Sequence, residues 1–188
     1  MDYKQVSNLE LMDNIRKGDQ AAFQELFHRF YQLLLGVAIN LLGDINTAKD
    51  IVQDVFIHIW NKRASIKIHT AVEPFLKRSV INRAINYIKA KRETVPEIHI
   101  QHLHNPDDVI GQLAADDLQE AIEQALATLP DRCRMIYVLK RIEGFSQKEI
   151  AEQLNISTKT VENQITKALK VLKTAVQLYL DQNNPPSG

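Results

Sequence analysis

Apolar residues recur at steps of three and four along almost the whole of this chain, and nowhere do they alternate in steps of two over the length of a strand. Successive residues of an α-helix turn by about 100°, so this spacing lays one apolar stripe along each helical segment. The chain is therefore expected to be all-α. Only 6 glycines and 6 prolines occur among 188 residues. That is too few for a turn-rich β-sandwich, and it excludes collagen-like and glycine-rich chains.

The breaks in the pattern mark the helices. Leu9 to Lys17 reads as a short helix ended by Gly18, and Asp19 can cap the next. That second helix carries Phe23, Leu26, Phe27, Phe30, Leu33, Leu34, Val37, Leu41 and Leu42 and stops at Gly43. Its stripe is wide, as in a helix packed on several neighbours. A third runs from Asp44 to about Lys62, with Ile51, Val52, Val55, Phe56 and Ile59 inward and Asp50, Gln53 and Asp54 outward. After a loop, Pro74 suits the first turn of a fourth. This one buries Leu76, Val80, Ile81, Ala84 and Ile88 and shows Arg78, Asn82, Asn86 and Lys89. From Glu93 to about Asp116 no stripe persists, which reads as a linker. Helices then follow from about Asp117 to Ala127 and from Pro130 to near Gly144.

The segment GFSQKEIAEQLNISTKTVENQITKALKVLK gives the sharpest local signal. Ser146 and Glu149 form a capping box, and Phe145 and Ile150 stand as a hydrophobic staple. Asn155 can take the left-handed conformation that ends a helix, and Ser157 can cap the next. Val161, Ile165, Ala168, Leu169 and Leu172 are expected inward, and Thr158, Lys159, Asn163, Thr166 and Lys167 outward. The pair reads as a helix-turn-helix whose second helix is available to a major groove. The tail DQNNPPSG looks frayed.

The formal net charge is zero, from 23 basic and 23 acidic side chains, but the signs are segregated. Residues 60–92 hold 9 basic and 1 acidic, 93–130 hold 0 and 8, and 131–173 hold 9 and 5. Basic blocks attract polyanions locally whatever the total. Lysine and asparagine on a recognition helix can pair with guanine and adenine edges, and hydroxyls at its N-terminus can bond phosphates. In the first basic block, Asn82 and Asn86 are poor helix formers placed one turn apart. By themselves they fit a base-reading face and a charged surface equally. Asp50, Gln53 and Asp54 fit a docking face for a basic partner or a plain solvated face. Trp60, Phe56 and Phe27 read as core.

No nucleophile–base set, glycine-rich phosphate loop or paired carboxylates stand out, so catalysis and cofactors are not expected. His99, His102 and His104 are of a type that can bind zinc, but no cysteine lies nearby, and no metal site is expected. Cys133 reads as a small buried apolar residue. One cysteine makes no internal disulfide, which points to the cytoplasm. No run approaches the roughly 18–20 apolar residues of a membrane span, and the N-terminus lacks the pattern of a signal peptide.

Together these segments resemble a bacterial sigma factor of the sigma-70 family, in the compact extracytoplasmic-function (ECF) group. AFQELFHRFYQLLLGVAINLLGDINTAKDIVQDVFIHIW is similar to the first helices of a sigma-2 domain. PFLKRSVINRAINYIKAKR resembles its −10-reading helix, and ALATLPDRCRMIYVLKRIEGFSQKEIAEQLNISTKTVENQITKALKVLK resembles a sigma-4 domain. The likeness covers roughly residues 9–92 and 120–173. It implies two small helical domains joined by a flexible acidic linker: a sigma-2-like domain over 1–92, the linker over 93–116, a sigma-4-like domain over 117–175 and a tail over 176–188.

The same likeness implies roles. Asp50, Gln53 and Asp54 would dock on core RNA polymerase, at the clamp helices of its largest subunit. The sigma-4 part would lie toward the flap region. Lys62, Arg63, Arg78, Asn82, Arg83 and Asn86 would hold the opened −10 strand of promoter DNA, and Ser65 to Val72 would be a specificity loop. Arg134, Ser157, Thr158, Lys159, Thr160, Asn163 and Lys167 would read the −35 duplex. The acidic linker would mimic nucleic-acid charge near the active-site channel. An anti-sigma factor, commonly membrane-anchored, would be the controlling partner. A helix-turn-helix regulator of another class would explain residues 131–173 alone, and a helical adaptor would leave the asparagines without a use.

Overall fold

The computed structural model describes residues 3–68, 71–94 and 117–183, and among these there are eight helices and no strand. The chain forms two compact units, divided after Tyr87. His99, His102 and His104, and the linker from residue 95 to 116, lie outside the described residues.

The first unit holds α1 (Asn8–Arg16), α2 (Gln20–Leu42), α3 (Ile45–Lys62) and most of α4 (Val72–Thr94). The first three starts have a chemical cause. Ser7 Oγ accepts from Glu10 N, and the Glu10 carboxylate accepts from Ser7 N, a reciprocal cap that the periodicity alone does not mark. Asp19 accepts from Ala22 N at 3.0 Å and Asp44 from Thr47 N at 2.7 Å. Gly43 ends α2 at φ 71°, where a side chain is disfavoured, and bonds Ile39 O.

Helix α2 packs against both α1 and α3. Leu11, Ile15, Leu26, Leu34, Leu41, Val52, Ile59 and Leu76 are fully buried, and each such side chain stabilises the fold by about 1.5–3 kcal/mol. Phe23 lies 5.1 Å from Trp60, and Phe27 lies 4.8 Å from Phe56, centroid to centroid. Both pairs cross from α2 to α3. The expected inward residues of α3 and α4 are all buried, joined by Ile85. Leu33, expected in the α2 stripe, is exposed instead.

The chain before α1 is strapped onto α2 by one arginine. Arg29 donates from Nη1 to Val6 O and Asn8 Oδ1, from Nη2 to Tyr3 O and Lys4 O, and from Nε to Glu25. Three backbone carbonyls, of Tyr3, Lys4 and Val6, are thus held by one side chain, and Tyr3 O also accepts from Val6 N at 3.1 Å.

The second unit contains α5 (Asp117–Thr128), α6 (Asp131–Arg141), α7 (Gln147–Leu154) and α8 (Thr158–Asn183). Helix α8 packs against the other three. Ala125, Leu126, Leu129, Cys133, Ala168 and Leu172 form one core cluster, and Met135, Ile136, Leu139 and Ile150 are fully buried. Leu169 departs from expectation: it is 40% exposed, while Val161, Ile165, Ala168 and Leu172 are buried, the last two in the cluster with Ala125 and Leu126 of α5. Helix α8 also runs through Asn183, past the expected start of the tail and into the segment that reads as frayed. No helix among the described residues is long and apolar enough to cross a membrane.

Candidate nucleic-acid interfaces

On α3, Asp50, Gln53 and Asp54 are all exposed, while the helix turns Ile51, Val52, Val55 and Phe56 inward. Their spacing of three, four and one puts them on one face. On α4, Arg78, Asn82 and Asn86 are exposed in a row, one turn apart. The row exists because Leu76, Val80, Ile81, Ala84 and Ile85 take the other side. Arg83 sits between the two surfaces and faces Asp54, Nη1 to Oδ2 at 3.6 Å.

Two basic residues flank the loop after α3. Lys62 is exposed, and its carbonyl accepts from Ser65 Oγ at 2.9 Å. Arg63 is partly engaged: it lies 4.5 Å over the Trp60 ring and donates to Trp60 O at 2.7 Å. Trp60 is thereby covered by Phe23 and Arg63, as expected of a residue used for packing. Of the expected loop from Ser65 to Val72, Val72 is buried as the first residue of α4, and positions 69 and 70 lie outside the described residues. Ile66 O accepts from Arg16 on α1 at 3.4 Å.

The helix-turn-helix is built as its sequence indicates. Ser146 Oγ accepts from Glu149 N, and Glu149 accepts from Ser146 N. Asn155 takes φ 51° and ψ 57°, the left-handed C-cap. Ser157 Oγ accepts from Thr160 N at 3.0 Å and shares a hydrogen bond with Thr160 Oγ1 at 2.9 Å. These two hydroxyls hold the start of α8, and Ser157 stays exposed. Lys159, Asn163 and Lys167 are exposed and turned away from buried Val161, Ile165 and Ala168, and Thr158 is exposed at the first position of the helix. Lys159 pairs with Glu162 at 2.9 Å, both well exposed, a pairing weak enough for a phosphate to replace.

Arg134 does not share this face. It is 5% exposed, and its Nη2 donates to Leu129 O at 2.8 Å and lies 3.3 Å from Asp131 Oδ1. Burial pulls its pKa down, with Asp131 opposing. Arg134, expected among the −35 contacts, is here buried and links Leu129, just after α5, to Asp131 at the start of α6. Cys133 is buried against Gln164 O, and burial pushes its thiol pKa up, which favours the inert protonated form. No cluster that could hold a metal ion occurs among the described residues.

Fold and site thus define a two-unit helical protein with a helix-turn-helix in its second unit. Family models agree in content and order. Sigma-70 region 2 matches residues 26–94, and sigma-70 region 4 matches residues 119–172. The chain is 23% identical over 187 residues to the RNA polymerase sigma-H factor of Pseudomonas aeruginosa, covering 94% of this chain and 97% of that one. It is 28% identical over 173 residues to the ECF RNA polymerase sigma factor SigW of Bacillus subtilis, covering 85% and 91%. Among solved structures, the sigma factor RpoE in complex with the anti-sigma factor NepR from Bartonella quintana has the same fold. Its TM-score is 0.51 at 21% identity, over 82% of this chain and 96% of that chain. The chain belongs to the sigma-70 family, in its ECF group. Members of this family are initiation factors rather than catalysts.

Proposed function

We propose that the protein binds core RNA polymerase and directs promoter-specific initiation, reading the −10 element as opened strand and the −35 element as duplex. One observation carries the reading. The chain whose second unit holds a doubly capped helix-turn-helix also exposes Asn82 and Asn86, one turn apart, on a helix of its first unit. Two such surfaces fit two separated DNA elements.

In this reading Asp50, Gln53 and Asp54 dock on the clamp helices. Lys62, Arg63, Arg78 and Arg83 hold phosphates beside the bases that Asn82 and Asn86 meet. Ser157, Thr158, Lys159, Thr160, Asn163 and Lys167 form the −35 unit, and Arg134 positions it from behind. The functional division is 1–92, 93–116 and 117–175, with a tail from 176. Helices α4 and α8 run past two of these edges. With a net charge of zero, the free chain binds DNA weakly. Polymerase supplies the rest by holding two weak modules at promoter spacing. Unstacking a base costs a few kcal/mol, and its capture offsets part of that.

The working compartment is the cytoplasm, and the controlling partner is an anti-sigma factor. The RpoE relative, solved with NepR, supports the latter. In vitro transcription with core polymerase on a promoter library tests the whole reading. Transcripts from a defined promoter set are expected, and their absence with active core polymerase overturns it.

A further inference from the structure

Ile57 is the most exposed of the large apolar side chains among the described residues, at 56%. On α3 it does not stand alone. Successive helical residues turn by about 100°, so Asn46, Asp50, Gln53, Asp54, Ile57 and Asn61 fall on one arc of about 100° with Ile57 near its middle. All six are exposed. No basic residue lies in the arc, and it carries two carboxylates.

One apolar side chain ringed by polar and acidic ones is the arrangement in which a central residue carries most of a binding energy and its rim excludes water. A face meant only for solvent gains nothing from an isoleucine there, since each exposed CH₂ costs about 0.8 kcal/mol relative to burial. The geometry points to Ile57 as the apolar anchor of the polymerase-docking face. Its partner surface on core polymerase then presents an apolar pocket flanked by cations that meet Asp50 and Asp54. This rests on the docking role given to Asp50, Gln53 and Asp54 and adds an apolar anchor to that face.

Helix α3 provides its own control. Ile45 is 49% exposed but lies about 120° around the helix from Ile57, off the arc. The experiment measures binding of full-length Ile57→Ser, Ile45→Ser and parent chains to purified core RNA polymerase from the same organism, with melting curves for each. Both positions are exposed, so both variants are expected to melt like the parent. Ile57→Ser is expected to weaken binding about 10- to 50-fold, and Ile45→Ser less than about 3-fold. Parent-like binding by Ile57→Ser, or an equal loss in Ile45→Ser, overturns the anchor and leaves the docking role standing. A parent chain that does not bind core polymerase overturns both.

Discussion

Arg83 on α4 reaches Asp54 on α3, Nη1 to Oδ2 at 3.6 Å, so the proposed polymerase-docking face is tied to the helix bearing the asparagine row. The side chains are 34% and 66% exposed, and pairs this wet contribute about 0–1 kcal/mol. The pairing orients without locking. Arg83→Ala is expected to lower unfolding free energy by less than about 1 kcal/mol, read from urea midpoints. The charge swap Asp54→Arg with Arg83→Asp is expected to keep that stability and still lose core-polymerase binding. A drop above about 2 kcal/mol in the single variant, beyond the range of such exposed pairs, would show the pair to be a structural clamp.

Asn82 and Asn86 separate function from stability most cleanly. Both are exposed in mid-helix, where alanine is the better helix former by a few tenths of a kcal/mol. Asn82→Ala and Asn86→Ala are expected to melt at or slightly above the parent temperature. Each is expected to cut run-off transcription by about 5- to 100-fold, which corresponds to about 1–3 kcal/mol for each asparagine–base pairing removed. Full transcription by the double variant removes this face from promoter reading.

What the sequence carries is local. Caps at Asp19, Asp44, Ser146 and Ser157 and the stops at Gly43 and Asn155 are readable because cap and helix lie within three or four residues. The outward rows on α3 and α4 follow from the same period. Periodicity misplaces Leu169 because it gives the direction of an apolar side chain and not whether a neighbouring helix covers it. The burial of Arg134 is not anticipated because an arginine in a basic block reads as solvent-facing. Yet Cys133, Met135 and Ile136 beside it are all buried, and their apolar character is visible in the sequence. The reach of α8 to Asn183 is signalled too, since no proline follows until Pro185. The Arg29 strap spans up to 26 residues, a separation no local pattern encodes.

Arg134 should act on stability before it acts on DNA. Its bond to Leu129 O is buried, and truncation leaves that carbonyl unpaired beside a cavity. Arg134→Ala is expected to destabilise the second unit by about 2–3 kcal/mol, read by hydrogen exchange in α6 and α8. Lys159→Ala, on the exposed face, is expected to leave exchange unchanged while weakening −35 binding. Unchanged exchange in Arg134→Ala would contradict this linking role.

Acid should loosen the N-terminal strap first. Tyr3 OH donates to Asp19 Oδ2, and Asp19 also caps α2 through Ala22 N. Both bonds favour the carboxylate and lower its pKa, the Tyr3 bond most. The same bond raises the Tyr3 pKa. A depressed carboxylate adds stability that is complete above its unfolded value of about 3.9 and is lost as pH falls through the lower native value. The phenol works in the opposite sense, and its share is lost only as alkaline pH rises through its raised native value. Between those limits the strap is at full strength. Tyr3→Phe, which removes the hydroxyl alone, is expected to lower the melting temperature near neutral pH and flatten its decline below about pH 4. Thermal melts from about pH 2.5 to 7 check this across the carboxylate range, and parallel curves for parent and variant would show that the pair contributes nothing to acid sensitivity.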